Sequence, residues 1–404
     1  MNRMEEIIRQ RKAEDDAPLC AHLYDLDHLA SHVKRITQSL PSRIGMFYAM
    51  KANSERPVLE TIAPLAAGFE VASLGEVEKA RAVSRDIPVI FGGPGKTDQE
   101  LEGGIRLGVT RFHVESLQEL LRLERIAARL NVHVPILLRI NLKGPFPSAT
   151  LQMAGRPTQF GIDEDEVAVA IQLAQQSSHL KLEGFHFHSL SNNLDPERHL
   201  ALLTMYRDKV MAWEEALGIQ VTTLNVGGGI GVNYADLSAQ FDWEAFTRGL
   251  EGLLDTFPAH WRNLMFECGR FLTASCGGYG VEVLDIKKNH GQWYVIVRGG
   301  THHFRLPVSW QHSHPFDVVE IDHWDYPFPR KETGGEPVTV TGQLCTPKDV
   351  LARDVILPRV RIGDVLLFRF TGAYGWSISH HDFLSHPHPD QLYLKQGQPV
   401  LTGV

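Results

Sequence analysis

Gly45-Met46-Phe47-Tyr48-Ala49-Met50-Lys51 is a short apolar run that ends in a charged tip, and the chain repeats that pattern. Eight such runs lie between Ile44 and Arg270. The other seven read GFEVAS, VIFGG, RFHVES, ILLRIN, GFHFHS, TLNVGGG and NLMFECGR. Their tips carry Glu70 to Ser73, Gly92 to Gly93, His113 to Glu115, Arg139 to Asn141, His186 to Ser191, Gly227 to Gly229 and Glu267 to Arg270. Each run has the length of one strand and is rich in β-branched or aromatic residues. Stretches such as Gln118–Leu130 and Asp163–Gln176 have room for a helix between them. Eight strand–helix units are the arithmetic of an α/β fold, a (β/α)8 TIM barrel, in which chemistry gathers where the strands end. A lysine, a histidine, a glycine triplet and a glutamate–arginine pair then meet at one mouth. Such a set suits a phosphorylated, pyridine-containing cofactor.

The remainder of the chain reads differently. From Gly277 the runs VEVLDI, WYVIVRGG, PVTVTGQLC and DVLLFRF are broken by Gly and Pro turns, with little helical periodicity. The expected division is a barrel over 28–276 and a β-rich domain over 277–404, joined by 1–27 through the strand-like Cys20–Leu26. At 404 residues and 43% apolar composition, two domains fit, the barrel needing roughly 250 residues. A net charge of −8 and the lack of a basic stripe speak against nucleic acid. The opening MNRMEEIIRQRKAEDD is charged and has no apolar core, so no signal peptide is expected. No run approaches the roughly 20 apolar residues of a membrane span. Cys20, Cys268, Cys276 and Cys345 form no CxxC pair, which suits a reducing cytoplasm.

Several stretches carry chemistry. A lysine at a barrel strand end, as in Tyr48-Ala-Met-Lys51-Ala-Asn53, can form a Schiff base with an aldehyde when partly desolvated; otherwise it is a solvated surface residue. Val226-Gly227-Gly228-Gly229-Ile230-Gly231 lacks the spacing of a dinucleotide fingerprint. It is either a tight turn or a phosphate cradle, where residues without side chains let backbone N–H groups reach oxygens. In Glu267-Cys268-Gly269-Arg270 the glutamate either faces a cofactor nitrogen or pairs with Arg270 across a turn. Cys268 reads as a small buried hydrophobe. In His186-Phe-His188-Ser-Leu-Ser191, an HxH pair on a strand places both imidazoles on one face, but no third metal ligand has convincing spacing. His186 also reads as a satisfied core histidine. The 20 histidines include His302-His303, His380-His381 and His386-x-His388; carboxylate and cysteine partners at ligand spacing are missing there, and no metal is expected.

Together with Cys345-Thr-Pro-Lys-Asp349 and Gly372-Ala-Tyr374, these motifs resemble the fold-type III pyridoxal-phosphate decarboxylases. These are the alanine racemase-like barrels that include diaminopimelate and ornithine decarboxylase. The resemblance runs from about Cys20 to about Tyr393. It implies that pyridoxal 5'-phosphate is held by Lys51, with His188 stacked on its ring and Glu267 at its nitrogen. Ser191, Gly227, Gly228, Gly229, Gly269, Arg270 and Tyr374 would surround its phosphate. It also implies a homodimer in which Cys345 reaches the neighbouring subunit's site and protonates the substrate after carbon dioxide leaves. Three departures matter. Cys268 stands where the family usually has proline, Leu190 where it commonly has glycine, and Thr346 where diaminopimelate decarboxylase-like chains carry glutamate. The last removes an acid suited to a distal ammonium.

Alanine racemases of this fold are expected to carry arginine at the place of Glu267, so the glutamate favours decarboxylation. Gly93-Pro-Gly-Lys-Thr97, Met153-Ala-Gly-Arg-Pro-Thr-Gln-Phe-Gly161 and Gly372 to Pro389 resemble the siderophore decarboxylases of staphyloferrin B-type pathways. That likeness implies a citryl-diaminopropionate-type substrate. Arg156, in the Pro- and Gly-rich loop Gly144–Gly161, and Arg305 would then be counter-charges for its carboxylates, since arginine forks match carboxylates well. Decarboxylation of lysine, ornithine or diaminopimelate stays open, as do a racemase and a non-catalytic regulator.

Overall fold

The computed structural model describes residues 3–144, 146, 151–152, 157–396 and 398–400. They form two compact units. One holds residues 30–233 and 238–272; the other holds 1–29, 234–237 and 273–404.

The first unit is the barrel. Its strands are β1 (Ile44–Ala49), β2 (Gly68–Val71), β3 (Val89–Phe91), β4 (Arg111–Val114), β5 (Val134–Asn141), β6 (Leu180–His186), β7 (Thr223–Asn225) and β8 (Asn263–Cys268). All pair in parallel. β8 lies beside β1 with Phe266 opposite Met46, and β4 beside β5 with Phe112 opposite Ile136, which closes the ring. Phe47, Ile90, Leu137 and Met265 meet in one buried cluster, so the interior is a packed core and not a pore.

Polar residues just past the strands start the helices and so pin the tips. Ser73 accepts the N–H of Glu76 ahead of Leu74–Val83, and Ser116 that of Glu119 ahead of Leu117–Leu130. Thr97 and Glu100 form a reciprocal capping box ahead of Asp98–Arg106. The helix expected over Asp163–Gln176 starts later than its composition suggests. Ile162–Asp163 pairs with the end of β5, Glu164–Glu166 is a tight 3-10 turn, and the α-helix spans Val167–Gln176. The loop Gly144–Gly161 contains a short strand, Leu151–Gln152, antiparallel to Leu190–Ser191. Its Pro and Gly content hid that pairing. Arg156 lies outside the described residues.

The second unit is built on a nine-stranded sheet. Cys20–Asp25 lies between Gly277–Asn289, which is antiparallel to it, and Asp390–Lys395, which is parallel. The charged opening of the chain folds as a helix, Arg3–Glu14, whose inner face the composition did not reveal. Met4, Ile7 and Ile8 are buried there with Leu23, Leu367 and Leu394. Each such burial contributes about 1.5–3 kcal/mol. Gly278 makes room for it: a side chain there would lie 2.7 Å from the Met4 sulfur. No helix among the described residues is long and apolar enough to cross a membrane.

Candidate active site

β1 ends at Ala49 and the backbone tightens into a 3-10 turn, Met50–Ala52. The Tyr48 hydroxyl donates to the Asn53 carbonyl at 2.8 Å and fixes that turn. Met50 and Ala52 are buried, which leaves Lys51 as the turn's outward residue, its side chain 46% exposed. Its Nζ lies 3.2 Å from Glu70 Oε2 at the end of β2, and that carboxylate is only 7% exposed. Burial raises the Glu70 carboxyl above its ordinary value, the Lys51 charge opposes the shift, and nearby Glu267 adds to it. Glu70 belongs to a strand tip that the sequence had marked, but with no role.

Three strand ends meet around Glu267, the penultimate residue of β8. Asn225 of β7 donates from Nδ2 to Glu267 Oε1 at 2.6 Å, and its Oδ1 accepts the Gly227 N–H at 2.9 Å. His113 of β4 and His186 of β6 stack with ring centroids 3.9 Å apart. His186 Nε2 is 3.2 Å from Glu267 Oε2, outside hydrogen-bond geometry, and neither nitrogen of that ring is hydrogen-bonded. His186 is thus buried but not the satisfied core histidine that its position suggested. Burial is the main cause that holds both imidazoles well below their ordinary value, and the Arg139 charge adds to it. His186, His113 and Glu267 each offer a donor atom within 4.8 Å of the others. Spacing in the sequence gave His186 no third metal ligand; the fold supplies the set from distant strands. His113 was legible only as a strand-end position, and Asn225 only as part of the run before the glycine tip.

His188 does not share the strand with His186, because β6 ends at His186. It stands in the following loop, where its Nδ1 accepts the Gly228 N–H at 3.2 Å. Burial, with the Lys51 and Arg139 charges, holds it well below the ordinary histidine value. The glycine triplet packs against this loop without room for side chains. A Cβ at Gly227 would lie 2.4 Å from the Phe187 carbonyl, one at Gly228 2.2 Å from the Glu267 carbonyl, and one at Gly229 2.6 Å from the Leu190 carbonyl. Gly227 and Gly229 also have positive φ, of 70° and 91°. Gly269 touches the Lys51 turn: a Cβ there would meet that of Ala52 at 2.8 Å. Arg270 follows, 8% exposed. Cys268 pairs with Tyr48 and is buried, its thiol pushed up to about 12, mainly by that burial.

A second polar knot supports the mouth. Glu115 accepts from Gly93 N at 2.7 Å, Arg139 Nη1 at 2.8 Å and Gly161 N at 3.2 Å. One carboxylate thereby ties the tips of β3, β4 and β5 to the end of the long loop, and Arg139 lies over the Phe160 ring.

Cys345, Thr346, Tyr374 and Arg305 belong to the other unit. Cys345 is a free, exposed thiol, which rules out an inert buried one. Thr346 is half-buried, its Oγ1 accepting the Lys348 N–H at 3.3 Å. Tyr374 is half-buried with φ of 54°. Arg305 is exposed, its N–H donating to Ser379 Oγ at 3.0 Å.

At the barrel mouth, an accessible amine, a buried carboxylate fixed by an amide, and a turn closed to any side chain suit an aldehyde, a ring nitrogen and a phosphate. The donor set and the glycine turn therefore fit pyridoxal 5'-phosphate. The chain belongs to the pyridoxal-dependent decarboxylases, whose pyridoxal-binding domain matches residues 26–274. It is an enzyme of that class, dependent on pyridoxal 5'-phosphate.

Among its relatives is the 2-[(L-alanin-3-ylcarbamoyl)methyl]-2-hydroxybutanedioate decarboxylase of Staphylococcus aureus (strain NCTC 8325 / PS 47). The two are 52% identical over 98% of this chain and 99% of that protein. The L-glutamyl-[BtrI acyl-carrier protein] decarboxylase of Niallia circulans is 31% identical, over 93% of this chain and 89% of the other. The diaminopimelate decarboxylase of Helicobacter pylori, solved in complex with L-lysine, superposes with a TM-score of 0.82 at 28% identity. That match covers 97% of this chain and 94% of the other.

Proposed function

We propose that this enzyme decarboxylates 2-[(L-alanin-3-ylcarbamoyl)methyl]-2-hydroxybutanedioate, a citryl-diaminopropionate, in the biosynthesis of a carboxylate siderophore of the staphyloferrin B type. The 52% identity to the S. aureus enzyme, spread over nearly the whole of both chains, carries this reading. Pyridoxal 5'-phosphate, when bound, would supply an electron sink for the pair left at Cα as carbon dioxide departs.

In this reading the Lys51 amine binds the cofactor aldehyde and Glu70 holds or returns the proton at Lys51 Nζ. Glu267, oriented by Asn225, would retain the proton on the ring nitrogen. His188 covers the ring face and helps to exclude water. Gly227–Gly229, Gly269, Arg270, Ser191 and Tyr374 surround the phosphate. The enzyme is a cytoplasmic homodimer, and the partner subunit's Cys345 delivers the proton that replaces carbon dioxide. Arg305 and Arg156 serve as counter-charges to the substrate carboxylates, and Thr346 leaves no acid to hold a distal ammonium. Residues 28–276 act as the cofactor-binding domain, and 277–404 with 1–27 as the second domain.

Incubation with the citryl compound, lysine, ornithine and diaminopimelate in direct competition, followed by mass spectrometry, tests the reading. Loss of carbon dioxide from the citryl compound ahead of the others is expected. Preference for lysine or diaminopimelate would discard the siderophore assignment, and inversion at constant mass would mark a racemase.

A further inference from the structure

His302 is 0% exposed, and neither of its ring nitrogens has a hydrogen-bond partner. In either tautomer one N–H lacks an acceptor, a defect that native folds rarely keep. Its ring centroid lies 3.7 Å from that of His303, 5.4 Å from His386 and 6.5 Å from His380. His380 and His386 are half-buried, so the group grades from a closed interior to solvent.

The charges that act on these rings are mostly of one sign. After burial, which is the largest cause, His302 is lowered by its neighbouring imidazoles and by Arg298, and His380 by Arg305. Arg298 donates to Gln343 Oε1 at 2.9 Å, and Gln343 Nε2 contacts His386 Nδ1 at 2.5 Å. The carboxylate that faces His380, Asp349, is already committed. Its Oδ1 accepts from Thr301 N and Oγ1 at 2.7 and 2.8 Å, and its Oδ2 from Leu344 N at 2.9 Å. Among the described residues, the donor groups close enough to share a metal ion are His113–His186–Glu267 and Asp16–His323–Asp325, and this cluster is not one of them. It offers donors and positive charge and lacks an acceptor for His302.

We propose that His302, His380 and His386, with Arg298 beside them, form a binding site for a polycarboxylate, the hydroxybutanedioate end of a citryl-type substrate. The proposal rests on the substrate reading above and adds the residues that recognise that end. Imidazole N–H groups and guanidinium forks are suited to such an anion because they supply donors and no competing carboxylate.

Citrate is the probe, titrated calorimetrically into the cofactor-loaded enzyme. His302→Leu removes the buried donor. The pair His380→Ala and His386→Ala removes the half-exposed ones and bypasses any folding defect of the first variant. Citrate affinity should fall by about 10-fold in each, and KM for the citryl compound should rise more than kcat falls. A merely structural role would lower the thermal midpoint and kcat and leave KM alone. Unchanged citrate affinity and KM in the folded double variant overturn the proposal, as does a wild-type enzyme that binds no citrate. Wild-type enzyme that fails to decarboxylate the citryl compound, while its variants lose citrate binding, keeps the polycarboxylate site and discards the substrate reading. Turnover of the citryl compound that is indifferent to these variants does the reverse.

Discussion

His113 and His186 share their niche with a carboxylate; His302, His380 and His386 share theirs with two guanidiniums. Both groups contain buried imidazoles, and burial is the largest cause that lowers His113, His186, His302 and His380. The difference lies in what the rings surround. At the barrel mouth the rings close around Glu267, whose oxygens lie 3.2 and 3.5 Å from ring nitrogens and 2.6 Å from Asn225. That arrangement fixes a carboxylate in place among the strand ends. In the β-rich unit the carboxylate that faces His380, Asp349, is satisfied by Thr301 and Leu344, and the proposed role of the rings is to face an anion. Histidine count alone says nothing about the sign of a site; the neighbours set it.

The largest expected effect is at Lys51. Lys51→Ala removes the amine, and turnover should fall to the level of a buffer blank, together with the visible absorbance of the bound cofactor. The side chain is half-exposed, so the thermal midpoint should barely move. Near wild-type turnover in Lys51→Ala would discard the cofactor assignment at this mouth. Mixing it with Cys345→Ala under subunit exchange should then recover activity, because one site of each mixed dimer keeps both residues. Proven heterodimers without recovery would place Cys345 outside the neighbouring subunit's chemistry.

Glu267→Gln keeps the shape and loses the charge at the centre of the first imidazole pair. Turnover should fall by about 10²-fold, a barrier rise of about 2.7 kcal/mol, while cofactor retention on gel filtration changes little. An unchanged kcat would make Glu267 structural and erase the contrast between the two clusters. Asn225→Ala acts one step further out. It strips Glu267 Oε1 and the Gly227 N–H of a partner, a loss of about 1–3 kcal/mol in stability. Activity should drop by about 10-fold as the carboxylate loses its orientation. Should Asn225→Ala lose stability alone, the amide braces the turn and does not orient the acid.

What could be read from the sequence follows the same divide. The barrel was legible because its strands repeat one pattern, apolar run then polar tip, and Lys51, His188, the glycines and Glu267 stand at those tips. Glu70 and His113 stand at the same tips and went unassigned, as did Asn225 in the run before the glycine tip. Their roles come from contacts between strands far apart in the chain, which no local spacing encodes. The HxH pattern misled for the converse reason: β6 ends between its two histidines, so period-two alternation no longer applies. The helix Arg3–Glu14 was hidden because its charges outnumber the three apolar residues that dock it. The pairing of Leu151–Gln152 with Leu190–Ser191 was masked by the surrounding Pro and Gly.

The smallest effect concerns Glu70, and it separates a buried acid that titrates from one that only packs. Burial raises its carboxyl and Lys51 opposes that shift, as burial also raises Asp349 beside the second imidazole cluster. A raised value means that the folded chain keeps a proton which the unfolded chain has released. The resulting stability is fully present below the ordinary carboxylate value and is lost as pH rises from there through the folded value. Glu70→Gln cannot titrate, so its loss of stability across that window should be smaller than that of the wild type. Asp349 and Glu119, also raised by burial, are present in both proteins and cancel in the difference; Glu76, which the Glu70 charge helps to raise, cancels only in part. Denaturant midpoints of the cofactor-free wild type and Glu70→Gln, compared at a series of pH values, should therefore converge or cross as pH rises. Parallel curves would mean that Lys51 already holds Glu70 ionised throughout, and that the pair is an ordinary ion bridge until the cofactor takes the lysine.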